Sequence, residues 1–383
     1  MKILHCADLH LGRCLLEESL ILDQKYILDE IIKIVSTNHV DAVLICGDVY
    51  DKSIPSIEAV RLFSHFLTDL YHMNVKVFVI SGNHDSKDRL SFGNELFIDN
   101  GVYIEGIFDG SLRCVTLKDD YGDVNIYMLP FVKPADVKVH YADVDIQSYD
   151  DAIRCIIEHS DIDKNKRNII MVHQFVTASG VEVKRSDSET ISLGGIDNVD
   201  VSNFDCFDYV AMGHVHGAQK LIKDTVRYAG SPLKYSFSEV FQKKSLPLIE
   251  FREKGDIYIE LVPLIPLHDM RKIKGKFEDL VCNDVVSLGN VNDYMHVILT
   301  DEDYILDAIG KLREVYPNVL RLDYDNDRTN GVENSKNSVS GDITKRSEMD
   351  IFLEFYMNQN HISLDDERVK ILENVIKEIK NKG

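Results

Sequence analysis

Cys46-Gly47-Asp48-Val49-Tyr50-Asp51 closes an apolar run over residues 40–45. A carboxylate just past a strand, preceded by a glycine that lets the backbone turn tightly, is a natural metal ligand. Six further nitrogen and oxygen donors follow other apolar runs: Asp8 and His10, Asn83, His173, and His214 with His216. Each signal alone is ordinary, since a Gly-Asn pair marks turns and a histidine at a strand end is commonly a satisfied core or loop residue. Their succession is not ordinary. D-x-H, G-D-x-x-D, G-N-H-D, a strand-end histidine and G-H-x-H together offer seven donors, expected on one sheet edge, enough for two ions sharing one carboxylate.

In the arrangement these spacings suggest, Asp8, His10 and His216 hold one ion, Asn83, His173 and His214 hold the other, and Asp48 bridges them. Residues two apart in an extended segment point the same way, which would bring Asp8 and His10 to one ion and turn both imidazoles of the H-x-H to one side. Two ions about 3.5–4 Å apart clamp a phosphate, acidify a water and stabilise charge on the attacking and leaving oxygens. The expected reaction is therefore phosphoester hydrolysis, with no serine or cysteine nucleophile required. His84 stands beside the ligands but outside their count, and is the candidate to stabilise the transition state or protonate the leaving alkoxide.

The elements that must position these residues read as alternating strands and helices. Residues 2–6 form a short strand, residues 18–38 carry Ile27, Leu28, Ile31, Ile32 and Val35 at helical spacing, and residues 40–45 return as a strand. A second helix over 57–73 leads into a strand over 75–80. This β-α-β-α-β order implies sheet strands covered by helices, with ligands at the strands' carboxyl ends. Weaker β-like segments lie at 102–115 and 124–131, a helix at 149–159, and strands at 167–174 and 207–216. Segments at 226–232, 247–251 and 257–263 complete the core. Beyond it, a small module at 266–324 contains a strand over 295–299, a helix over 303–316 and a strand over 319–322. Polar residues from 325 read as a linker, and apolar spacing returns over 349–380 as two amphipathic helices suited to a partner.

The chain has 383 residues, 44% of them hydrophobic and 28% charged, which suits a large globular core plus smaller modules. A formal charge of -21 argues against a generally basic nucleic-acid-binding surface and against binding to anionic membranes, without excluding nucleic acid. A local metal site or a partner can still supply positive charge. Seven scattered cysteines without a C-x-x-C pair fit free thiols in a reducing compartment. No apolar run approaches the roughly 20 residues of a membrane span and no signal peptide is legible, so the expected location is cytoplasmic.

The motif series resembles the calcineurin-like metallophosphoesterases and, among them, the SbcD-type nucleases of bacteria. The resemblance rests on MKILHCADLHLGR at the N-terminus, ICGDVYDK from Ile45, ISGNHDSKDR from Ile80, MGHVH from Met212 and YAGSPLKYSFSE from Tyr228. It implies an α/β fold, a metallophosphoesterase two-sheet sandwich flanked by helices, with a small α+β capping domain and C-terminal partner-binding helices. The corresponding boundaries are 1–265, 266–324, a flexible linker over 325–346, and helices over 347–383. By resemblance the seven donors match the metal ligands, His84 matches the catalytic histidine, and the ions are Mn2+. The implied function is double-strand exonuclease and single-strand or hairpin endonuclease activity on DNA, in end processing, repair and recombination. It also implies a homodimer within a heterotetramer, whose C-terminal helices bind an SbcC-type coiled-coil ATPase. Arg13, Lys52, Lys87 and Arg89 are the candidate DNA contacts. One departure stands out: where related nucleases often carry a histidine, this chain has Asp51. A small-molecule phosphodiesterase or phosphatase on the same two-metal site is the alternative.

Overall fold

The computed structural model describes residues 1–189 and 197–326, with Met349, Phe352, Leu353, Tyr356, Leu364 and residues 368–372 and 374–376 beyond them. The linker expected over 325–346 and the helices expected over 347–383 therefore lie largely outside the described residues. The chain divides into two compact units, Met1–Asp269 and Met270–Gly383.

The first unit is built on two six-stranded sheets. In one, Lys2–Cys6, Ala42–Cys46, Lys76–Ile80 and Val102–Glu105 run parallel, and Ser245–Phe251 pairs antiparallel on the free side of Lys2–Cys6, followed by Ile257–Pro263. In the other, Gly122–Leu129, Arg167–Val172, Tyr209–Met212 and Val226–Tyr228 run parallel, with Arg113–Asp119 and Gln219–Lys220 antiparallel at the two edges. Every residue of Ala42–Cys46 and of Arg167–Val172 is buried. That is the pattern of parallel strands covered on both faces, and it explains why these segments read as unbroken runs rather than as alternation.

Side chains from both sheets meet in one core that includes Ile3, Leu44 and Phe78 from the first and Ile126, Ile169 and Ala211 from the second. On the outside, helix α1 (Ile21–Asn38) packs against helix α2 (Ile57–His72), and α2 lies on the Lys76–Ile80 strand. Ser56 caps α2 by accepting the amide of Ala59 at 3.2 Å. The Tyr149–Glu158 helix covers the second sheet through Ile153 and Ile156.

Three readings of the sequence change here. The donors do not share one sheet edge: Asp8, Asp48 and Asn83 follow strands of the first sheet, whereas His173, His214 and His216 follow strands of the second. The segment 18–38 is not helical from its start, since Glu18–Ser19 pairs with Cys14–Leu15 before α1 begins at Ile21. In the second unit, Met270–Gly275, Tyr294–Leu299 and Val319–Tyr324 form a three-stranded parallel sheet around Met295, Val297, Leu312 and Tyr316. The helix expected over 303–316 is shorter, Ala308–Arg313, because Asp307 at its start adopts a left-handed backbone. Among the described residues no helix is long and apolar enough to cross a membrane.

Candidate metal centre

The expected donors converge where the carboxyl ends of the two sheets face each other. Asp8, His10 and His216 bring one donor atom each within 4.8 Å of one another, as do Asp8, Asp48 and His173. His10 Nε2 and His216 Nε2 are 3.0 Å apart. On the other side Asn83 Oδ1 lies 3.2 Å from His173 Nε2 and 3.0 Å from His214 Nδ1. Asp48 Oδ2 stands between the two groups, 3.5 Å from His10 Nε2 and 3.3 Å from His173 Nε2.

The hydrogen-bond pattern tests whether these atoms suit cations. Cys46 O can only accept, so His173 Nδ1 at 2.7 Å from it carries the proton. In the metal-free centre Nε2 carries a second proton directed at Asn83 Oδ1 and Asp48 Oδ2; with that proton displaced its lone pair faces both oxygens, and three acceptors surround one position. His10 Nε2 and His216 Nε2 form a second close pair of ring nitrogens. Donors about 2.1 Å from one ion at a right angle stand about 3 Å apart, which is the spacing found here. The residues fit two divalent ions.

The backbone explains how strand ends reach so far inward. Asp8, His10, Asp48 and His214 all have positive φ (53°, 43°, 49° and 90°), a region non-glycine residues seldom occupy. The D-x-H segment is thus not extended, and its two side chains reach the centre because the turn is left-handed. Gln24 Nε2 holds that turn by donating to His10 O at 2.7 Å, and Tyr235 Oη by donating to Leu9 O at 2.5 Å. The H-x-H also departs from the simple expectation: His214 turns to Asn83 and His216 to His10. Two glycines permit the crowding. A Cβ at Gly47 would sit 2.1 Å from His173 Nδ1, and one at Gly82 would sit 2.1 Å from Asp48 Oδ1.

Burial sets the electrostatics. It pushes Asp8 up to about 8 even with His173 beside it, and drives His214 and His216 down to about 3. His173 is also buried, yet Asp48 and Asp8 outweigh that and raise it to about 9. Burial acts against ionised Asp48 as well, but His173, His10 and His84 hold it well below the usual carboxylate range. The metal-free centre therefore keeps His214 and His216 neutral, while Asp8 and His173 each hold a proton near neutral pH that a divalent ion would displace.

His84 also brings a ring nitrogen within 4.8 Å of donor atoms of His10 and Asp48, at the edge of the centre. Its amide donates to Asp48 Oδ1 at 2.9 Å and its Nδ1–H to Asp51 O at 2.8 Å. Its ring meets that of His10 edge-on, with centroids 4.8 Å apart. Asp51 serves the site through both its groups: the carbonyl anchors His84, while Oδ1 accepts from Arg13 Nη1 at 3.0 Å and lies 3.6 Å from His10 Nδ1. Of the candidate DNA contacts, Arg13 is engaged inside the fold with Asp51 and Ser188 O, and Lys87 pairs with Asp136 at 2.5 Å. Lys52 and Arg89 are exposed.

Several supporting residues carry little mark in the sequence. Asp85 accepts the amides of Val49, Tyr50 and Gly82 at 3.1, 2.9 and 2.9 Å, tying the G-D-x-x-D and G-N-H-D loops together. Its one signal is its place in the second motif. Glu239 and Tyr235, in the stretch from Tyr228, buttress His216 and the 8–10 turn. Lys244 and Ser188 have no sequence signal at all.

Comparison with known proteins matches residues 1–218 to the calcineurin-like phosphoesterase family and residues 266–360 to the type 5 capsule protein repressor C-terminal domain. The chain is 34% identical over 380 residues to the SbcD component of the SbcCD nuclease of Staphylococcus epidermidis, covering 97% of this chain and 98% of that one. Among solved structures, a dimetal phosphatase from Danio rerio aligns with TM-score 0.41 and 11% identity, over 69% of this chain and 96% of that one. A Thermus thermophilus protein aligns with TM-score 0.40 and 12% identity, over 68% and 98%.

Proposed function

The chain belongs to the calcineurin-like phosphoesterases and, within them, to the SbcD nucleases, and from that membership we propose that it is a metal-dependent DNA nuclease working with an SbcC-type ATPase. The observation that carries this reading is the convergence of acceptor atoms from both sheets on Asp48. Asp8, His10 and His216 would hold one divalent ion, Asn83, His173 and His214 the second, and Asp48 would serve both. When bound, the ions supply Lewis acidity toward the phosphate and a nucleophile at neutral pH.

The chain's own groups do the rest. Asp51 O accepts from His84 Nδ1–H, which leaves Nε2 for the reaction; as the imidazolium, His84 gives its Nε2 proton to the leaving alkoxide and ends neutral with Nδ1–H kept. Asp85 holds the two ligand loops in register. Lys52 and Arg89 meet backbone phosphates, and Lys87 joins them on release from Asp136, while Arg13 keeps Asp51 in place. The ions are Mn2+, as the sequence resemblance implies, and imidazole with oxygen donors is compatible with that choice.

The substrate is DNA, cut from double-strand ends and at single-stranded or hairpin positions during end processing, repair, recombination and replication in the cytoplasm. A chain of charge -21 needs help to hold DNA, and the ATPase supplies much of that surface. The 266–324 module caps the DNA, the linker spans 325–346, and helices within 347–383 bind the coiled-coil base of the ATPase. A homodimer forms within the heterotetramer; exposed Leu22, Ile54, Ile57 and Val60 around α1 and α2 are apolar surface suited to it.

The test is cleavage of blunt-ended and hairpin DNA by the chain with its ATPase partner, across Mn2+, Mg2+ and Zn2+. Manganese-dependent cleavage that Asp48→Asn abolishes is the expected result. Intact DNA with the ions bound would defeat the proposal, and hydrolysis of nucleotides or phosphomonoesters alone would replace it with the small-molecule phosphodiesterase reading.

A further inference from the structure

The histidines of the centre are secured from behind in different ways. His173 gives its Nδ1 proton to a backbone atom, Cys46 O, at 2.7 Å. His214 turns Nδ1 itself toward Asn83. His216 is instead backed by a chain of side chains: Nδ1 is 2.7 Å from Ser188 Oγ, Ser188 Oγ is 2.5 Å from Glu239 Oε1, and Glu239 Oε2 is 2.7 Å from Lys244 Nζ.

This chain is built rather than incidental. Glu239 is fully buried and Lys244 is 7% exposed. Burying such a pair is costly unless each charge is matched and its remaining hydrogen bonds are met. Here Lys244 Nζ also donates to His216 O at 2.9 Å, Ser231 Oγ at 2.8 Å and Gln242 Oε1 at 2.8 Å. The amide of His216 is taken by Glu189 Oε1 at 3.0 Å. Both backbone groups of this one ligand are therefore gripped by buried charged side chains.

Counting protons fixes the direction of the chain. The Glu239 carboxylate has no hydrogen, so Ser188 donates to Oε1 and its lone pair accepts from His216 Nδ1–H. His216 then presents a bare Nε2, the atom 3.0 Å from His10 Nε2. Handing the far nitrogen of a metal-bound imidazole to an acceptor orients the ring and raises its basicity. In this chain a serine relays that effect from the carboxylate, and Lys244 balances the carboxylate's charge so that it can remain buried.

We infer that Ser188 and Glu239 are positioning residues that act through His216 to set the affinity of one ion of the pair, the one shared with Asp8 and His10, and not of the other. The inference rests on the two-ion reading above and deepens it: the two ions are secured unequally, one by a side-chain relay and one by the backbone of Cys46.

The experiment is a calorimetric titration of the metal-free full-length chain with Mn2+ alone, at constant pH, with the melting temperature of each metal-free variant measured alongside. The native chain should take two ions. Ser188→Ala should weaken one of them about 10- to 100-fold and leave the other unchanged, while Ser188→Thr, which keeps the hydroxyl, should restore it. Glu239→Gln should reproduce the selective loss. Equal weakening of both ions in Ser188→Ala, or affinities within threefold of native for both, would overturn the inference. A native chain that binds fewer than two ions would instead remove the two-ion reading itself, before any variant is compared.

Discussion

Gly82 offers a sharp test of how Asp48, the carboxylate proposed to serve both ions, is held. It lies between Ser81 and Asn83, and its amide donates to Asp85 Oδ2 at 2.9 Å. A Cβ built there would stand 2.1 Å from Asp48 Oδ1 and 2.3 Å from Asp48 N, whereas real Cβ atoms essentially never come within 3.0 Å of a neighbour. In Gly82→Ala either the Asp48 loop or the Asn83 loop must therefore retreat by about 1 Å, through a close-packed region that yields little. A displacement of that size at reacting groups costs about 100-fold in rate, or about 2.7 kcal/mol of barrier. Overpacking should cost a further 1–3 kcal/mol of stability, roughly. Gly217→Ala is the control: it adjoins His216, yet its added Cβ would meet nothing closer than 3.4 Å. Turnover of a DNA oligonucleotide at saturating Mn2+, with melting temperatures in parallel, should show Gly82→Ala reduced about 100-fold or more and Gly217→Ala near native. Gly82→Ala within threefold of native at full metal loading would refute the reasoning, because Asp48 would then not be fixed by that contact.

Replacing His84 by alanine should leave both ions bound and lower kcat about 10²- to 10⁴-fold, read by cleavage assay beside metal analysis; loss of the ions would make it a ligand instead. Metal binding should release protons near neutral pH, since Asp8 is raised to about 8 and His173 to about 9 in the metal-free site. Affinity should then rise with pH between about 6 and 9, and calorimetry in buffers of different ionisation enthalpy should detect the released proton; proton-neutral binding would contradict this. At the far end of the sandwich, Asp119 receives the Met1 amino group at 2.7 Å and buried Arg167 at 3.1 Å through Nη1. Burial alone would raise Asp119, but Arg167 and the amino terminus outweigh it and hold it well below the usual range. Its contribution is thus present above the unfolded value near 4 and lost as pH falls through the lower folded value. Asp119→Asn should cost about 1–3 kcal/mol at pH 7 by urea unfolding, with the difference vanishing in acid. Deleting the residues after Lys345 should abolish binding to the ATPase while sparing metal loading; association surviving in a pull-down would place the contact elsewhere.

The donors that converge on the centre are legible in the sequence because each directly follows an apolar run, so a local pattern marks a strand end. Which sheet each strand joins is a different kind of information. Nothing in residues 167–172 says that they pair with 122–129 and 209–212 rather than with 42–46, and so the centre read as one edge instead of a meeting of two. The left-handed backbone at Asp8, His10 and Asp48 was hidden for a related reason: Asp and His tolerate positive φ better than most residues, but few of them adopt it, and here the surrounding contacts impose it. Glu239 and Lys244 show the remaining limit. Charged residues in a sequence read as surface, and only the fold reveals that this pair is buried behind His216 with its partners satisfied.

The most direct measurement of the central claim is anomalous diffraction at the manganese edge from crystals grown with Mn2+. The account predicts two peaks about 3.5–4 Å apart, one bounded by Asp8, His10 and His216, the other by Asn83, His173 and His214, with Asp48 in contact with both. A single peak, or two that do not share Asp48, would contradict it.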